Sequence, residues 1–312
     1  MMDELEDLNR EIEALIEDLG LEPLLAREQS DSDRRFYEKV TAAFGPAIAS
    51  LLQVYAKRRV ILEAARDLEP KPTGSYIGGH PFVAAGEDFS WPVNGDSGSP
   101  LTFLMQVNFD DFPKLEGYPE SGLIQWWIKG DDDGYGLSFE DGATGQEGIL
   151  VKFYPESALS AAASSPRDPI PNSDEEDRRE LGPLWSRDPV ALTGTEALSF
   201  PSYEDVTVGA LSDFFGSLRE VLEGGDVEGA EEILEAFESA TQIGGYPGFV
   251  QGDPRDPGGD RPTELILQLE SIFGYDGDVL MFGDSGNAQL FGDPGALKTG
   301  DTSRIWWDWA CY

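Results

Sequence analysis

Apolar positions in the first 70 residues recur at helical spacing. In residues 1–20, Leu5, Leu8, Ile12, Leu15, Ile16 and Leu19 fall on one face of an amphipathic helix. A second helical region is expected from about residue 33 to 68, interrupted near Gly45-Pro46, where proline removes a backbone donor. Its second half carries Ile48, Leu51, Leu52, Tyr55, Val60, Ile61 and Leu62 as an apolar side. The heptads are too few for a coiled coil, so these helices are expected to form a cap.

From Tyr76 onward, aromatic and β-branched runs alternate with clusters of Gly, Pro, Asp and Ser, the pattern of strands joined by turns. Strands are expected at 101–109, 122–129, 148–154, 264–271, 278–282, 288–291 and 305–310. Helical spacing returns at 207–223 and 226–240, while 164–188, rich in Pro, Ser and charge, reads as a mobile insertion.

The two strand regions resemble each other. YIGGHPFV at 76–83 matches QIGGYPGF at 242–249, FLMQVN at 103–108 matches LILQLE at 265–270, and SGLIQWWI at 121–128 is set against GDVLMFGD at 277–284. Three matches in one order predict an internal duplication. The expected fold class is α+β: an internally duplicated, antiparallel β-rich core with N-terminal and inter-repeat helices. Residues 1–70 form the helical region and 71–312 the main domain. Within it, one pseudo-repeat spans about 71–160 and the other about 205–312. A cleft between such halves is a natural ligand site.

The ordered motifs resemble the YwqG-like family, a bacterial domain family of unknown function. They are Gly78-Gly79-His80-Pro81, Trp91-Pro92, the strand from Pro100 through Gln106 to Asn108, Gly122-Leu123-Ile124-Gln125-Trp126-Trp127, the element Gly245-Tyr246-Pro247 with Gln251-Gly252-Asp253, and the strand from Leu265 through Gln268 to Ser271. The resemblance covers the chain from about residue 76 to its end. It implies a small cytoplasmic binding or regulatory protein, with immunity against a secreted toxin as one expectation, and it carries no reaction.

Composition narrows the function. Sixty acidic residues against 22 basic ones give a net charge of −38. Such a surface repels nucleic-acid phosphates and anionic lipid, and it suits either salt adaptation or a basic protein partner. The acidic N-terminus, the single cysteine and the lack of a long apolar run make the cytoplasm the expected location. Oligomeric state stays open.

Candidate chemistry is sparse. Gly95-Asp96-Ser97-Gly98 with His80, the sole histidine, lacks the surroundings of a serine-protease triad, and 292–299 lacks the glycine before lysine of a phosphate loop. Asp131 and Asp133 offer a minor calcium alternative; Tyr135 and Gly142 break the loop spacing, and no cofactor is otherwise expected. The polar and aromatic candidates for lining a cleft are Gln106, Asn108, Gln125, Trp126, Trp127, Tyr246, Gln251, Asp253 and Gln268. For the glutamines the competing expectation is structural, tying loops to the sheet through backbone hydrogen bonds. The leading functional expectation is an acidic immunity-type inhibitor of a basic partner. A small-ligand or peptide module using the cleft, and a carboxylate-dependent hydrolase, are the alternatives.

Overall fold

The computed structural model describes residues 9–10, 12–17, 30–95, 97–138, 144–159, 182–184, 188–224, 229–274 and 278–312. Most of the insertion expected at 164–188 and part of the first helix therefore lie outside the described residues. The chain packs as two units, Met1–Arg58 with Leu198–Glu238, and Arg59–Ala197 with Ser239–Tyr312.

The first unit is helical. Asp31–Phe44 starts at a reciprocal capping box, in which Ser30 Oγ accepts the Asp33 N–H and the Asp33 carboxylate accepts that of Ser30. Pro46–Tyr55 comes directly after it, with proline in its first turn, where the missing N–H has no helical partner to lose. Phe36 stacks on Phe200, and Phe215 and Phe237 extend the aromatic core toward the helices Ser212–Glu223 and Ala230–Glu235. The helix expected up to residue 68 stops at Tyr55.

Beyond Tyr55 the chain becomes extended. Among the described residues ten strands form one sheet: β1 (Lys57–Ala65), β2 (Tyr76–Ile77), β3 (Leu101–Asn108), β4 (Leu123–Lys129), β5 (Ile149–Tyr154), β6 (Val190–Ser199), β7 (Gln242–Gly244), β8 (Glu264–Glu270), β9 (Asn287–Gly292) and β10 (Trp306–Ala310). Their order is β10-β9-β8-β7-β1-β6-β2-β3-β4-β5, and each described pairing is antiparallel. Val60 and Leu62, expected on a helix, point from β1 into the core, 0% and 4% exposed. Arg59, Val60 and Ile61 pair with Gly244, Ile243 and Gln242, a long-range ladder that local periodicity cannot reveal. The fold is thus α+β, built on a ten-stranded sheet.

The two ends of the sheet carry matching registers. Tyr76 stands opposite Gln106 as Gln242 stands opposite Gln268. Both β3 and β8 shift register at a bulge, between Phe103 and Met105 and between Leu265 and Leu267. Gln106 then faces Gln125, and Gln268 faces Gln289. The partner of Gln125-Trp126-Trp127 is therefore Gln289-Leu290-Phe291 in β9. The strand expected at 278–282 is absent; Leu280 and Phe282 make only isolated bridges.

One face of the sheet holds the core, where Trp126 and Trp307 meet edge to face at 6.4 Å. The loop between β4 and β5 draws the terminal strands toward closure. Gly145 O accepts the Trp307 N–H at 2.8 Å, Glu147 O accepts the Trp307 indole at 3.0 Å, and Gly134 O accepts the Trp309 indole at 2.9 Å. Gly148 allows this path: it has φ +72°, and a Cβ there would lie 2.4 Å from Gly136 Cα. The result approaches a barrel. Among the described residues no helix is long and apolar enough to cross a membrane.

Candidate functional site on the outer face of the sheet

Side chains alternate across a strand, so the face opposite the core can be read row by row from the registers. Over β3–β4–β5 the rows are Asn108, Leu123, Tyr154; then Gln106, Gln125, Lys152; then Phe103, Trp127, Leu150. Over β8–β9–β10 they are Glu270, Asn287, Ala310; then Gln268, Gln289, Asp308; then Leu265, Phe291, Trp306.

A loop crosses each face, and paired glutamines hold it. After β2, Gln106 Oε1 accepts the Phe82 N–H at 2.9 Å and Gln125 Nε2 donates to Phe82 O at 2.8 Å. After β7, Gln268 Oε1 accepts the Gly248 N–H at 2.9 Å and Gln289 Nε2 donates to Gly248 O at 2.9 Å. Gln106 Nε2 also donates to Pro72 O and Gly74 O, and Gln268 Nε2 to Ala240 O. Backbone groups of a loop buried against a sheet have lost water, and these amides replace it.

The upper rows differ in chemistry. On the first half, Phe82, Leu123 and Tyr154 form an apolar cluster, with Phe82 and Tyr154 edge to face at 5.0 Å. On the second, the matching positions are Gly248, Asn287 and Ala310. A Cβ on Gly248 would lie 2.2 Å from Ser239 Oγ. Here Glu270 Oε1 accepts from Ser239 Oγ, Gln268 Nε2 (2.7 Å) and Asn287 Nδ2 (3.0 Å). Burial pushes the Glu270 carboxyl up, and those three bonds only partly offset it.

The middle rows differ in charge. On the first half, Lys152 Nζ lies 3.5 Å from Glu87 and 5.7 Å from the Phe89 ring centre. On the second, Arg255 makes a two-pronged pair with Asp253, Nε to Oδ1 at 2.9 Å and Nη2 to Oδ2 at 2.6 Å, with both side chains 0–1% exposed. The guanidinium also lies over Phe249 and Phe291. Asp308 takes the register position of Lys152. Burial, and then the charge of Asp253, push its carboxyl up to about 6.

The residues singled out from sequence are distributed unevenly. Gln106, Gln125 and Gln268 are buried loop clamps. Asn108 Nδ2 donates to Thr73 O at 2.7 Å, and Tyr246 is buried, with its carbonyl accepting from Gln242 Nε2 at 2.8 Å. Trp126 lies in the core, and Trp127 packs on the outer face against Trp91 and Phe103. Gln251 is exposed and donates to Cys311 O. Asp253 belongs to the pair with Arg255. A recess near the junction of the halves is apolar, lined by Val60, Phe109, Phe112, Leu115, Tyr118 and Ile243 among others. Asn287 and Gln289 escape the sequence pattern because the motif match sets Gln125 against Met281, whereas the registers set it against Gln289; Glu270 falls opposite Asn108 in the match but was not singled out, and Asp308 lies outside the matched segments.

In the acidic loop after β4, Lys129 Nζ lies 2.5 Å from Asp132 and 3.7 Å from Asp131, so the chain's own ammonium sits among these acids. Asp132 Oδ1 also accepts from the N–H groups of Gly134 and Gly136, and Asp133 is exposed. Partial burial of Asp132 disfavours its charge, but Lys129 and the two N–H groups outweigh that and hold its carboxyl below the usual range. Among the described residues no group of three His, Cys, Asp or Glu side chains is arranged to hold a metal ion.

No curated protein matches the chain. The family described as a domain of unknown function, DUF1963, matches residues 75–311, which take in both clamped faces and every strand from β2 to β10, and the chain belongs to that family.

Proposed function

We propose that the protein is a cytoplasmic binding protein whose acidic surface receives a basic partner protein, in the manner of an immunity-type inhibitor. The observation that carries this reading is the net charge of −38 on a rigid sheet. The small-ligand alternative has less to draw on, because Gln106, Gln125 and Gln268 already use their amides on neighbouring loops. The likeness to YwqG-like proteins agrees with a binding role.

The test is affinity purification of the tagged protein from its host at about 0.15 M and about 1 M salt, where the Debye length falls from ~8 Å to ~3 Å. A basic protein recovered at the lower salt and released at the higher is the expected result. Recovery of none at either salt sinks the reading.

We also infer that the matched registers descend from an internal duplication. The four glutamines 106, 125, 268 and 289 should then vary as two like pairs among homologous chains. Independent replacement of either pair by unrelated residues would count against a common origin.

A further inference from the structure

We propose that the basic partner binds at the open edge of β5, by adding an extended segment of its own chain to the sheet; this rests on the binding function proposed above for the partner's charge and names the surface used. β5 stands at one end of the strand order. The Lys129 N–H donates to Gly148 O at 2.6 Å, directly across the register of β4 and β5. In an antiparallel ladder such pairs recur at every second residue, so Leu150, Lys152 and Tyr154 turn their N–H and C=O groups toward β4. Ile149, Val151 and Phe153 turn theirs outward, and among the described residues those backbone groups meet no hydrogen-bond partner.

The other end of the sheet is covered. The outward N–H of Trp307 in β10 goes to Gly145 O and the Trp309 indole to Gly134 O, both in the loop between β4 and β5. Closure therefore runs through that loop and leaves the backbone of β5 unpaired on its outer side. β5 also lacks the usual defences of an edge, which are a proline, a bulge or an outward charge. Its sequence is Ile-Leu-Val-Lys-Phe-Tyr, and its register against β4 runs unbroken. Its one charge, on Lys152, is drawn to Glu87 and the Phe89 ring. Ile149, Val151 and Phe153 pack against the core and still keep part of their surface in water.

Two features select the occupant. Alternating unpaired donors and acceptors along a strand are satisfied together by another extended backbone, and a metal ion or a small ligand cannot match their spacing. Charge then selects the chain. Glu147 and Glu156 flank the strand, and exposed Asp301 follows Gly300, where a Cβ would lie 3.5 Å from Phe153 Cδ1. A second copy of the protein would bring its own net charge of −38 and be repelled. A segment with lysine or arginine around a few apolar residues is attracted instead.

The experiment titrates the full-length protein with the end-capped peptide Lys-Lys-Val-Thr-Val-Thr-Val-Lys-Lys at about 0.15 M salt, reading affinity by fluorescence anisotropy and amide exchange by NMR. The amides of Ile149, Val151 and Phe153 are expected to exchange readily in the free protein and to become protected by the peptide, while those of Leu150 and Lys152 are protected throughout. Two further peptides are N-methylated at the valines or at the threonines, so that each loses one of the two alternating sets of donors. One of them should bind at least about tenfold more weakly and the other about as well as the parent. Val151→Pro removes an outward N–H and no bond to β4, and it should weaken the parent peptide about tenfold. Thermal unfolding checks that this variant keeps its fold, and the methylated peptides test the edge on the wild type in any case. Binding without protection at Val151, or equal binding of both methylated peptides, overturns the proposal. So does a Val151 amide already protected in the free protein; protection that rises with protein concentration would give the edge to a second copy. A host partner that stays bound to Val151→Pro overturns the edge and leaves the binding function standing. Recovery of no host partner strikes the binding function and leaves the peptide result as it is.

Discussion

Asp308 and Lys152 hold matching places at opposite ends of one sheet, each directly across from a buried glutamine, Gln289 and Gln125. The charge at this place is reversed between the halves, and the consequence for stability has a definite sign. The Asp308 carboxyl is raised from 3.8 to about 6 by burial and by Asp253. Folding therefore disfavours its ionised form. The penalty is absent below about pH 4, where the group is protonated in both states, grows as pH rises toward 6, and is complete above it. Asp308→Asn is expected to stabilise the protein by about 1–3 kcal/mol at pH 8 and by almost nothing at pH 4. Urea midpoints at both pH values measure this; an equal gain at both would reject it.

Gln106 has the opposite role. Its amide serves the Phe82 N–H and the carbonyls of Pro72 and Gly74 from a fully buried position. Gln106→Ala strands these groups and leaves a cavity, at an expected cost of about 2–4 kcal/mol. Chemical denaturation gives the loss. Hydrogen exchange at the Phe82 amide should quicken more than exchange in β8, on the half whose clamp is intact.

The pair of Arg255 and Asp253 should be strongly coupled. Removing the guanidinium by Arg255→Ala leaves a buried carboxylate and is expected to cost about 3–5 kcal/mol. Adding Asp253→Leu should recover a large part of that. A double-mutant cycle in urea tests the coupling, and additive single effects would show that the two groups act independently.

Barrel-like closure depends on backbone crowding at Gly148. Gly148→Ala places a methyl 2.4 Å from Gly136 Cα at φ +72°, whereas Gly117→Ala, at φ +88°, meets nothing within 4 Å. The first is expected to cost at least about 2 kcal/mol and the second about 1 kcal/mol, the difference being the clash alone. Thermal midpoints of the two variants, converted to free energies, compare them directly.

Much of the sheet was legible along the chain. The runs that became β3, β4, β5, β8, β9 and β10 are rich in Val, Ile, Leu and aromatics, and Gly, Pro or Asp bounds them. β1 was not legible, because Val60, Ile61 and Leu62 continue an apolar spacing that also suits a helix. Its pairing with β7, some 180 residues away, decided the matter. β6 went unseen although Asp188-Pro189 and Pro201-Ser202 bound it, because Ala191, Gly194, Glu196 and Ala197 are weak strand formers. Of the candidate site, Gln106, Gln125, Gln268 and Asp253 were singled out as lining for a cleft, and for the glutamines the competing expectation, that they tie loops to the sheet, is the one the hydrogen bonds show.

The sequence by itself determined the alternating pattern of the strands, the glycine-proline turns after β2 and β7, the recurrence of Ile-Gly-Gly-x-Pro and glutamine, and the excess of acid. These depend on local steric freedom, side-chain period and composition, which neighbouring residues settle among themselves. Only the tertiary structure decided that Gln289 answers Gln125, that the glutamine pairs hold the backbone of Phe82 and of Gly248, and that Asp308 stands where Lys152 stands on the other half. Those relations depend on register between strands far apart in the chain. A shift of one residue would turn each of these side chains to the opposite face of the sheet.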